Sequence, residues 1–545
     1  MKPIRFLGIA ALAAFALPAA AQTAPPQPAP ADATSAGMPP ANWWQLDPAT
    51  NGVRGIAAER AYRELLANRQ PARSVVVAII DSGVEIDHPD LKDHIWTNPR
   101  EVAGNGRDDD GNGYVDDVHG WDFQGGRDGR DVAHDNYEIT RIYRELRKYD
   151  GARPDTLQGA KKAEYDRWLE VKRTFEQDRA NAQEEIAQVR QVVNVVSQVE
   201  AYLRQQIGSQ PTAQNVASYS AKTPEAMQAK DLFLQLAAQG LTPERIRREG
   251  EEIEGKLKYG LNPDFDPREI VGDNYADVSE RGYGNNEVEG PDALHGTHVA
   301  GIVGAVRGNG VGIDGVAPNN VRIMVLRVVP DGDERDKDVA NAIRYAADNG
   351  ANVINMSFGK AHSPRKDVVD AAARYAESKG VLLVHAAGND GADLATSGNF
   401  PNRDLQAGGK VANWIEVGAS SWQGLDSLAA SFSNYGHDQV DIFAPGVSIY
   451  STVNNFGYER NDGTSMAAPV VTGVAALLMS YFPSLTAAQV KQIILDSATR
   501  YADQAVALPG GEEGATRPFG QLSATGGIVN AYEAVKLAQQ RAGGR

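Results

Sequence analysis

The stretch Gly463-Thr464-Ser465-Met466-Ala467-Ala468-Pro469 places a serine at the mouth of a helix. Beyond Ser465 come Met466, Ala467, Ala468, Val470, Val471, Val474, Ala475, Leu477 and Leu478. Residues apolar on nearly every face belong to an interior helix. Pro469 is tolerated near the start, where its missing N–H costs little. A serine there has unpaired backbone N–H groups and the positive end of the helix dipole beside it. Such surroundings suit a nucleophile and the oxyanion it generates. A serine that merely caps a helix reads the same way, so its chemistry depends on partners elsewhere in the chain.

Three other polar residues stand where partners are needed. Ser74-Val75-Val76-Val77-Ala78-Ile79-Ile80 is a nearly continuous β-branched run, hence a strand covered on both faces in a parallel sheet. Asp81 follows it directly, and open α/β sheets gather functional groups at the carboxyl ends of their strands. His295 opens a small-residue apolar helix that runs through Val306, with His298 one turn deeper. Two histidines at that spacing can bind a metal, but no third ligand accompanies them. His295 therefore reads as the working imidazole and His298 as a satisfied core residue. The strand Val381–Ala387 runs into Gly388-Asn389-Asp390, so Asn389 offers an N–H donor at another strand end. Taken singly, Asp81 and Asn389 are also ordinary turn residues.

The elements that must position these groups form a regular series. Strands are expected at Val321–Val329, Val353–Phe358, Val381–Ala387, Trp414–Gly418 and Val440–Phe443, and helices at Asp338–Asp348, Lys366–Ser378 and Ala487–Ala498. Such alternation predicts an α/β fold: three layers, a mostly parallel central sheet with helices on both faces. Gly55–Ala67 carries a further helical pattern, and order is expected to begin near Trp43-Trp44. Residues 137–260 differ, being rich in Glu, Lys, Arg, Gln and Ala. Ile186, Val189, Val193, Val196, Leu203 and Ile207 fall near a heptad seam there. Thr223-Pro224-Glu225 and Thr242-Pro243-Glu244 are helix starts, and Gly240 ends the helix between them. The segment is expected to be an α-helical insertion of three or more helices, the first long. A lid, a protein-binding arm and a packing decoration all fit it.

Asp108, Asp110, Asn112, Tyr114 and Asp116 follow the oxygen-ligand spacing of a Ca²⁺ loop, with Gly113 at its sharp turn. His119 stands where that loop would carry its bidentate Glu, leaving Asp117 or Asp122 for the last ligand. A solvated acidic turn is the alternative.

Four motifs, Asp81-Ser82-Gly83, His295-Gly296-Thr297-His298, Ala387-Gly388-Asn389 and Gly463–Pro469, occur in that order. Together they resemble the subtilisin-like serine peptidases, over roughly residues 43–136 and 261–537 and outside the helical insertion. The resemblance implies Ser465 as nucleophile, His295 as the base that later protonates the leaving amine, and Asp81 as the group holding the imidazole tautomer. It implies Asn389 and the Ser465 N–H as oxyanion donors, and Ser357, Phe358 and Gly359 as the segment along which a polypeptide substrate lies. A second flanking segment is expected near Val329–Asp333. Its acids Asp331, Asp333 and Glu334 fit either basic substrate side chains or the acidic start of a helix. The resemblance also makes Asp90 a Ca²⁺ ligand, with Asn309 as a further match if a gap is allowed.

Residues 1–21 carry Lys2 and Arg5, an apolar run from Phe6 to Leu17 and Ala19-Ala20-Ala21, the pattern of a secretory signal. Residues 22–41 are Pro/Ala-rich and read as a disordered tether. The sheet-bearing domain is expected at 42–136 and 261–540. No other run is long enough to cross a membrane. A formal net charge of −17 argues against nucleic acid or an anionic membrane as the main partner. The absence of cysteine removes disulfides and thiol chemistry. The expectation is an exported serine endopeptidase stabilised by Ca²⁺. Two alternatives stay open: an esterase or transpeptidase using the same acyl-enzyme, and a catalytically silent binding protein acting through its helical arm.

Overall fold

The computed structural model describes residues 38–238 and 241–543. The expected signal sequence, most of the 22–41 tether and Gly240 lie outside the described residues. The chain forms two compact units, one of Ala41–Glu138 with Asp264–Arg545, the other of Ile139–Pro263.

The first unit is built on the β-branched runs. Its strands are β1 (Val75–Asp81), β2 (Gly120–Asp122), β3 (Val321–Arg327), β4 (Val353–Met356), β5 (Leu382–Ala386), β6 (Trp414–Ser420) and β7 (Ile442–Pro445). A hairpin follows, β8 (Ile449–Val453) with β9 (Gly457–Asn461), then β10 (Thr499–Arg500), a small pair β11 (Ala505–Ala507) with β12 (Thr516–Pro518), and β13 (Gly527–Ile528). Nine strands make one sheet in the order β10-β13-β7-β6-β5-β4-β1-β3-β2. Every ladder is parallel except the edge pair β10–β13.

Alternate residues of β1 enter opposite cores, as the period-two geometry of a strand requires. Val75, Val77 and Ile79 join the layer that holds the helices Leu294–Gly304 and Thr464–Tyr481. Ala78 and Ile80 join the layer of Asp336–Asp348 and Lys366–Ser378. A sheet with helices on both faces leaves no strand face for water, which is why its strands read as continuous apolar runs.

The differences from expectation lie at boundaries and in short strands. The β4 ladder stops at Met356, so Ser357, Phe358 and Gly359 lie beyond it. The strand expected at Val440–Phe443 lies two residues later, at Ile442–Pro445. β2, β10 and β13 are two or three residues long, too short for any periodicity to show.

The helix Thr464–Tyr481 is the only described helix apolar and long enough to cross a membrane, and 94% of that window is buried inside the protein. It is the central core helix of this unit. Gly473 lets it approach closely, since a Cβ there would meet Val316 Cβ at 2.5 Å.

The Ile139–Pro263 unit is helical. A 48-residue helix, Ala160–Ile207, runs through it, followed by Ala213–Ser218, Pro224–Ala238 and Pro243–Gly255. Thr223 and Thr242 accept the N–H groups of Ala226 and Arg245, each followed by Pro at the first helical position. Ile186, Val189, Val196 and Leu203 of the long helix are buried, Val193 and Ile207 partly so. They pack against Ile253, Ile246, Leu236 and Phe233 from the shorter helices.

Leu477 is fully buried in the central helix. Leu477→Ala is expected to destabilise the sheet-bearing unit by about 2–5 kcal/mol, read as a lower guanidinium midpoint. An unchanged midpoint would remove this helix from the core that holds the unit together.

Candidate functional site

Asp81 is the last residue of β1 and is almost fully buried. Its Oδ1 accepts from His295 Nδ1 at 2.7 Å and from the Ser82 N–H at 2.8 Å. Oδ2 is buried and, among the described residues, meets no donor. His295 is the second residue of the helix Leu294–Gly304 and remains partly exposed. This approach of helix to strand depends on two glycines. A Cβ on Gly296 would meet the Gly83 carbonyl oxygen at 2.0 Å and Asp81 Cβ at 3.3 Å. Gly83 itself has φ +116°, and a Cβ there would strike the Glu289 carbonyl oxygen. Arg327, at the end of β3, pins the same turn by donating to the Ser82 carbonyl at 3.1 Å, while pairing with Asp122 at 2.8 Å.

His298 is fully buried. Its Nε2 lies 3.0 Å from the Ile449 carbonyl oxygen and 3.1 Å from that of Glu459, and so carries the proton. Burial holds this imidazole down at about 3. It ties the helix to the β8–β9 hairpin and takes no part in the Asp81–His295 couple.

Ser465 is the second residue of the helix Thr464–Tyr481. Its Oγ donates to the Ser357 carbonyl at 3.0 Å, and Ser357 Oγ donates back to the Ser465 carbonyl at 2.9 Å. Deeper in, Asn355 Nδ2 donates to Ser357 Oγ at 2.9 Å, and Thr472 Oγ1 donates to Asn355 Oδ1 at 2.8 Å. This buried chain fixes the serine helix on the end of β4. Asn355 and Thr472 had no sequence signal, because each looks like an isolated polar residue in an apolar run.

Asn389 follows β5 by three residues. Its Oδ1 accepts from Thr464 N at 2.8 Å and from Thr464 Oγ1 at 3.0 Å, which commits the amide nitrogen to the other side. Asn434 Nδ2 donates to the Ala387 carbonyl at 2.9 Å and holds this turn. Gly463 has φ +155°, and a Cβ on it would stand 3.5 Å from both Asn389 Nδ2 and Ser465 N. Two N–H donors thus border one small space, kept open because residue 463 has no side chain.

The remaining predicted residues are placed differently. Asp108 accepts the N–H groups of Asn112 and Gly113, and Asn112 Oδ1 that of Tyr114. Asp116, in the left-handed region at φ 53°, accepts those of Asn105 at 3.1 Å and Gly106 at 2.7 Å. The Tyr114 ring packs edge-on against Trp121 and Tyr345. In the expected set of five, the Asp108, Asn112 and Asp116 side chains thus also accept backbone N–H groups. Asp110 converges with Glu101 and Asp117, whose carboxylates lie within 4.8 Å of one another. Glu101 Oε2 is buried and, among the described residues, meets no donor. Burial, with neighbouring carboxylates adding, pushes the Glu101 carboxyl up.

Asp90 and Asn309 do meet, with Asn309 Nδ2 donating to Asp90 Oδ1 at 2.7 Å. The Ile313 N–H and the Tyr458 hydroxyl donate to Asp90 Oδ2 at 3.1 and 3.4 Å. Both oxygens of this fully buried Asp90 face donors, which tie the loop Arg307–Asp314 to it. Asp331 accepts from His134 Nδ1 at 2.8 Å and Asp333 from the Glu138 N–H at 2.7 Å.

The fold and the site define an α/β protein in which an Asp–His couple, a helix-borne serine and an asparagine amide gather at the carboxyl ends of β1, β4 and β5. The model of the subtilase family, Peptidase S8, matches residues 72–520, and the chain belongs to that family. The "Thermophilic serine proteinase" of Bacillus sp. (strain AK1) is 42% identical over 222 residues, which are 40% of this chain and 49% of that protein. "Alkaline elastase YaB" of Bacillus sp. (strain YaB) is 36% identical over 268 residues, 48% of this chain and 62% of its own. "Subtilisin DY" of Bacillus licheniformis is 40% identical over 212 residues, 38% and 72%. The match thus spans about half of the first relative's length and less than two thirds of the second's.

The folded protein holds the His298 pKa below its ordinary value of 6.5, so the unfolded chain binds the extra proton first. His298 is expected to contribute full stability above pH 6.5 and progressively less as pH falls from there toward 3. His298→Gln should flatten that part of the stability–pH curve, measured by denaturant midpoints at stepped pH. An unchanged slope would mean that other groups carry the acid sensitivity.

Proposed function

We propose that this protein is an exported serine endopeptidase that cleaves polypeptides through an acyl-enzyme. The observation that carries the reading is the pair of N–H donors, Asn389 Nδ2 and Ser465 N, bordering one space beside Ser465. That arrangement suits an oxyanion, because fixed donors aimed at developing charge need no reorganisation during the reaction.

In this reading Ser465 Oγ leaves its resting bond to the Ser357 carbonyl and attacks the scissile carbonyl carbon. Its proton passes to His295 Nε2, and Asp81, 2.7 Å from Nδ1, holds the tautomer and stabilises the imidazolium. The carbonyl oxygen takes the negative charge between Asn389 and the Ser465 N–H. Collapse breaks the C–N bond, and His295 gives its proton to the departing amine. Water, deprotonated by the same imidazole, then attacks the acyl carbon; the C–Oγ bond breaks and His295 returns the proton to Ser465 Oγ. Ser357, Phe358 and Gly359 lie outside any strand ladder, and an extended substrate backbone can pair along them as an added strand. Export rests on the signal-like pattern of residues 1–21.

Ca²⁺ is part of the proposal, with Glu101, Asp110 and Asp117 beside the loop residues Asp108, Asn112, Tyr114 and Asp116. Three carboxylates with one oxygen lacking a donor fit a hard, oxygen-liganded cation. Bound there, it would neutralise crowded charge and brace the loop; no chemical step passes through it.

Ser465→Ala is expected to abolish casein and peptide cleavage while leaving the melting temperature unchanged. Residual turnover in that variant would sink the assignment. Asn389→Ala should lower kcat by about 10²–10³, a magnitude carried over from subtilisin itself. A wild-type protein that transfers acyl groups to amines faster than to water would favour the transpeptidase instead. EDTA is expected to lower the melting temperature and added Ca²⁺ to restore it, with Asp110→Asn and Asp117→Asn insensitive to both. Equal melting curves with and without EDTA would remove the ion.

A further inference from the structure

We propose that His385 is a positioning residue for substrate binding, held in place by Glu416 and donating from Nε2 to the carbonyl of Phe358. The inference rests on the reading that Ser357–Gly359 receives the substrate backbone.

His385 lies in β5, paired with Met356 of β4 on one side and Glu416 of β6 on the other. It is fully buried. Its Nδ1 is 2.8 Å from Glu416 Oε1, and its Nε2 is 2.8 Å from the Phe358 carbonyl oxygen. A carbonyl oxygen only accepts, so Nε2 must carry a proton. Two states of the pair meet that need: an imidazolium whose Nδ1–H donates to the Glu416 carboxylate, or a neutral imidazole whose bare Nδ1 accepts from the Glu416 carboxyl. Glu416 is fixed in turn. Its Oε2 accepts from Trp414 Nε1 at 2.8 Å, and its N–H donates to Asp441 Oδ2 at 2.8 Å. Asp441 Oδ1 pairs with Arg403 at 2.6 Å. A second acid–imidazole pair therefore stands behind the segment, unlike Asp81–His295 in that its Nε2 carries a proton and donates.

The backbone shows what this couple does. Carbonyls along an extended segment alternate in direction. Phe358 and Lys360 face back, the first toward His385, the second bridged to Phe400 in both directions at 3.0 and 2.9 Å. Ser357 and Gly359 face the opposite edge, and it is there that Ser465 Oγ meets the Ser357 carbonyl. With no ladder partner between Met356 and Lys360, the bond from His385 is what holds the Phe358 carbonyl, among the described residues. It presets the opposite edge for a substrate strand, which otherwise pays the ordering cost on binding.

Three measurements test this. His385→Leu fills the space without a donor, while His385→Gln can still donate to the Phe358 carbonyl. For a chromogenic tetrapeptide, His385→Leu is expected to raise KM about five- to tenfold. Its kcat on p-nitrophenyl acetate, a small ester that does not reach the segment, should stay within about twofold of wild type. His385→Gln should restore most of the tetrapeptide KM. Unchanged KM in His385→Leu, or an equal loss of kcat on both substrates, would overturn the proposal. Independently of activity, hydrogen exchange across residues 353–361 should quicken in His385→Leu and not in His385→Gln; equal exchange would also overturn it. Should the leucine variant fail to fold, ¹⁵N-histidine NMR of the wild-type protein decides, with the His385 resonance assigned by its loss in His385→Gln. A proton on Nε2 supports the couple, and a bare Nε2 refutes it. If wild type cleaves nothing and Ser465 resists a serine-directed phosphonate, the peptidase reading fails, while the exchange and NMR results still report on the anchor.

Discussion

The burial of one helix decides most of this structure. Thr464–Tyr481 packs against the sheet with nearly every residue inside, and burial of that much apolar surface is the main favourable term in holding such an element. Once its body is fixed, its first turn has no freedom, and Ser465 arrives at the strand ends because the helix does. The polar chain Thr472–Asn355–Ser357 sits within the same contact. Buried polar groups have to be paired, so these bonds select one register of helix against strand where apolar packing alone would tolerate several.

Glycine supplies the second constraint. The helix bearing His295 reaches Asp81 only because residue 296 has no Cβ and residue 83 turns where few other residues can. The donor space beside Ser465 is open only because residue 463 has no side chain. At Gly83 and Gly296 a close backbone approach, rather than a favourable contact, sets the geometry. The site is therefore made of rigid parts, strand ends and helix starts, and the donors stand in place before any charge appears. Preorganisation of this kind is what electrostatic stabilisation needs.

Legibility from sequence varied with the physics involved. β1, the central helix and the alternating strands and helices showed themselves because burial on both faces leaves continuous apolar runs. The acidic loop was legible only in part. Asp108, Asn112 and Asp116 have the spacing of ion ligands, and their side chains also accept backbone N–H groups, two to five residues away for Asp108 and Asn112 and ten and eleven for Asp116. Glu101, outside the spacing pattern, stands beside Asp110 and Asp117. Asp90 and Asn309, each read as an ion-ligand match, are hydrogen-bonded to each other, and the Ile313 N–H and Tyr458 hydroxyl also donate to Asp90.

The sequence by itself determined the parallel α/β class, the helical character of the Ile139–Pro263 unit, and the order and local setting of Asp81, His295, Asn389 and Ser465. Each of these follows from short-range facts: periodicity, caps, and a polar residue directly after an apolar run. Only the tertiary structure decided which polar groups meet. His385 and Glu416 lie on neighbouring strands far apart in the chain, and Asn355 meets Thr472 across a helix–sheet contact. Hydrogen bonds are satisfied over a few ångströms whatever the sequence separation, so a partner's identity is a property of strand order and packing, not of the segment that carries it.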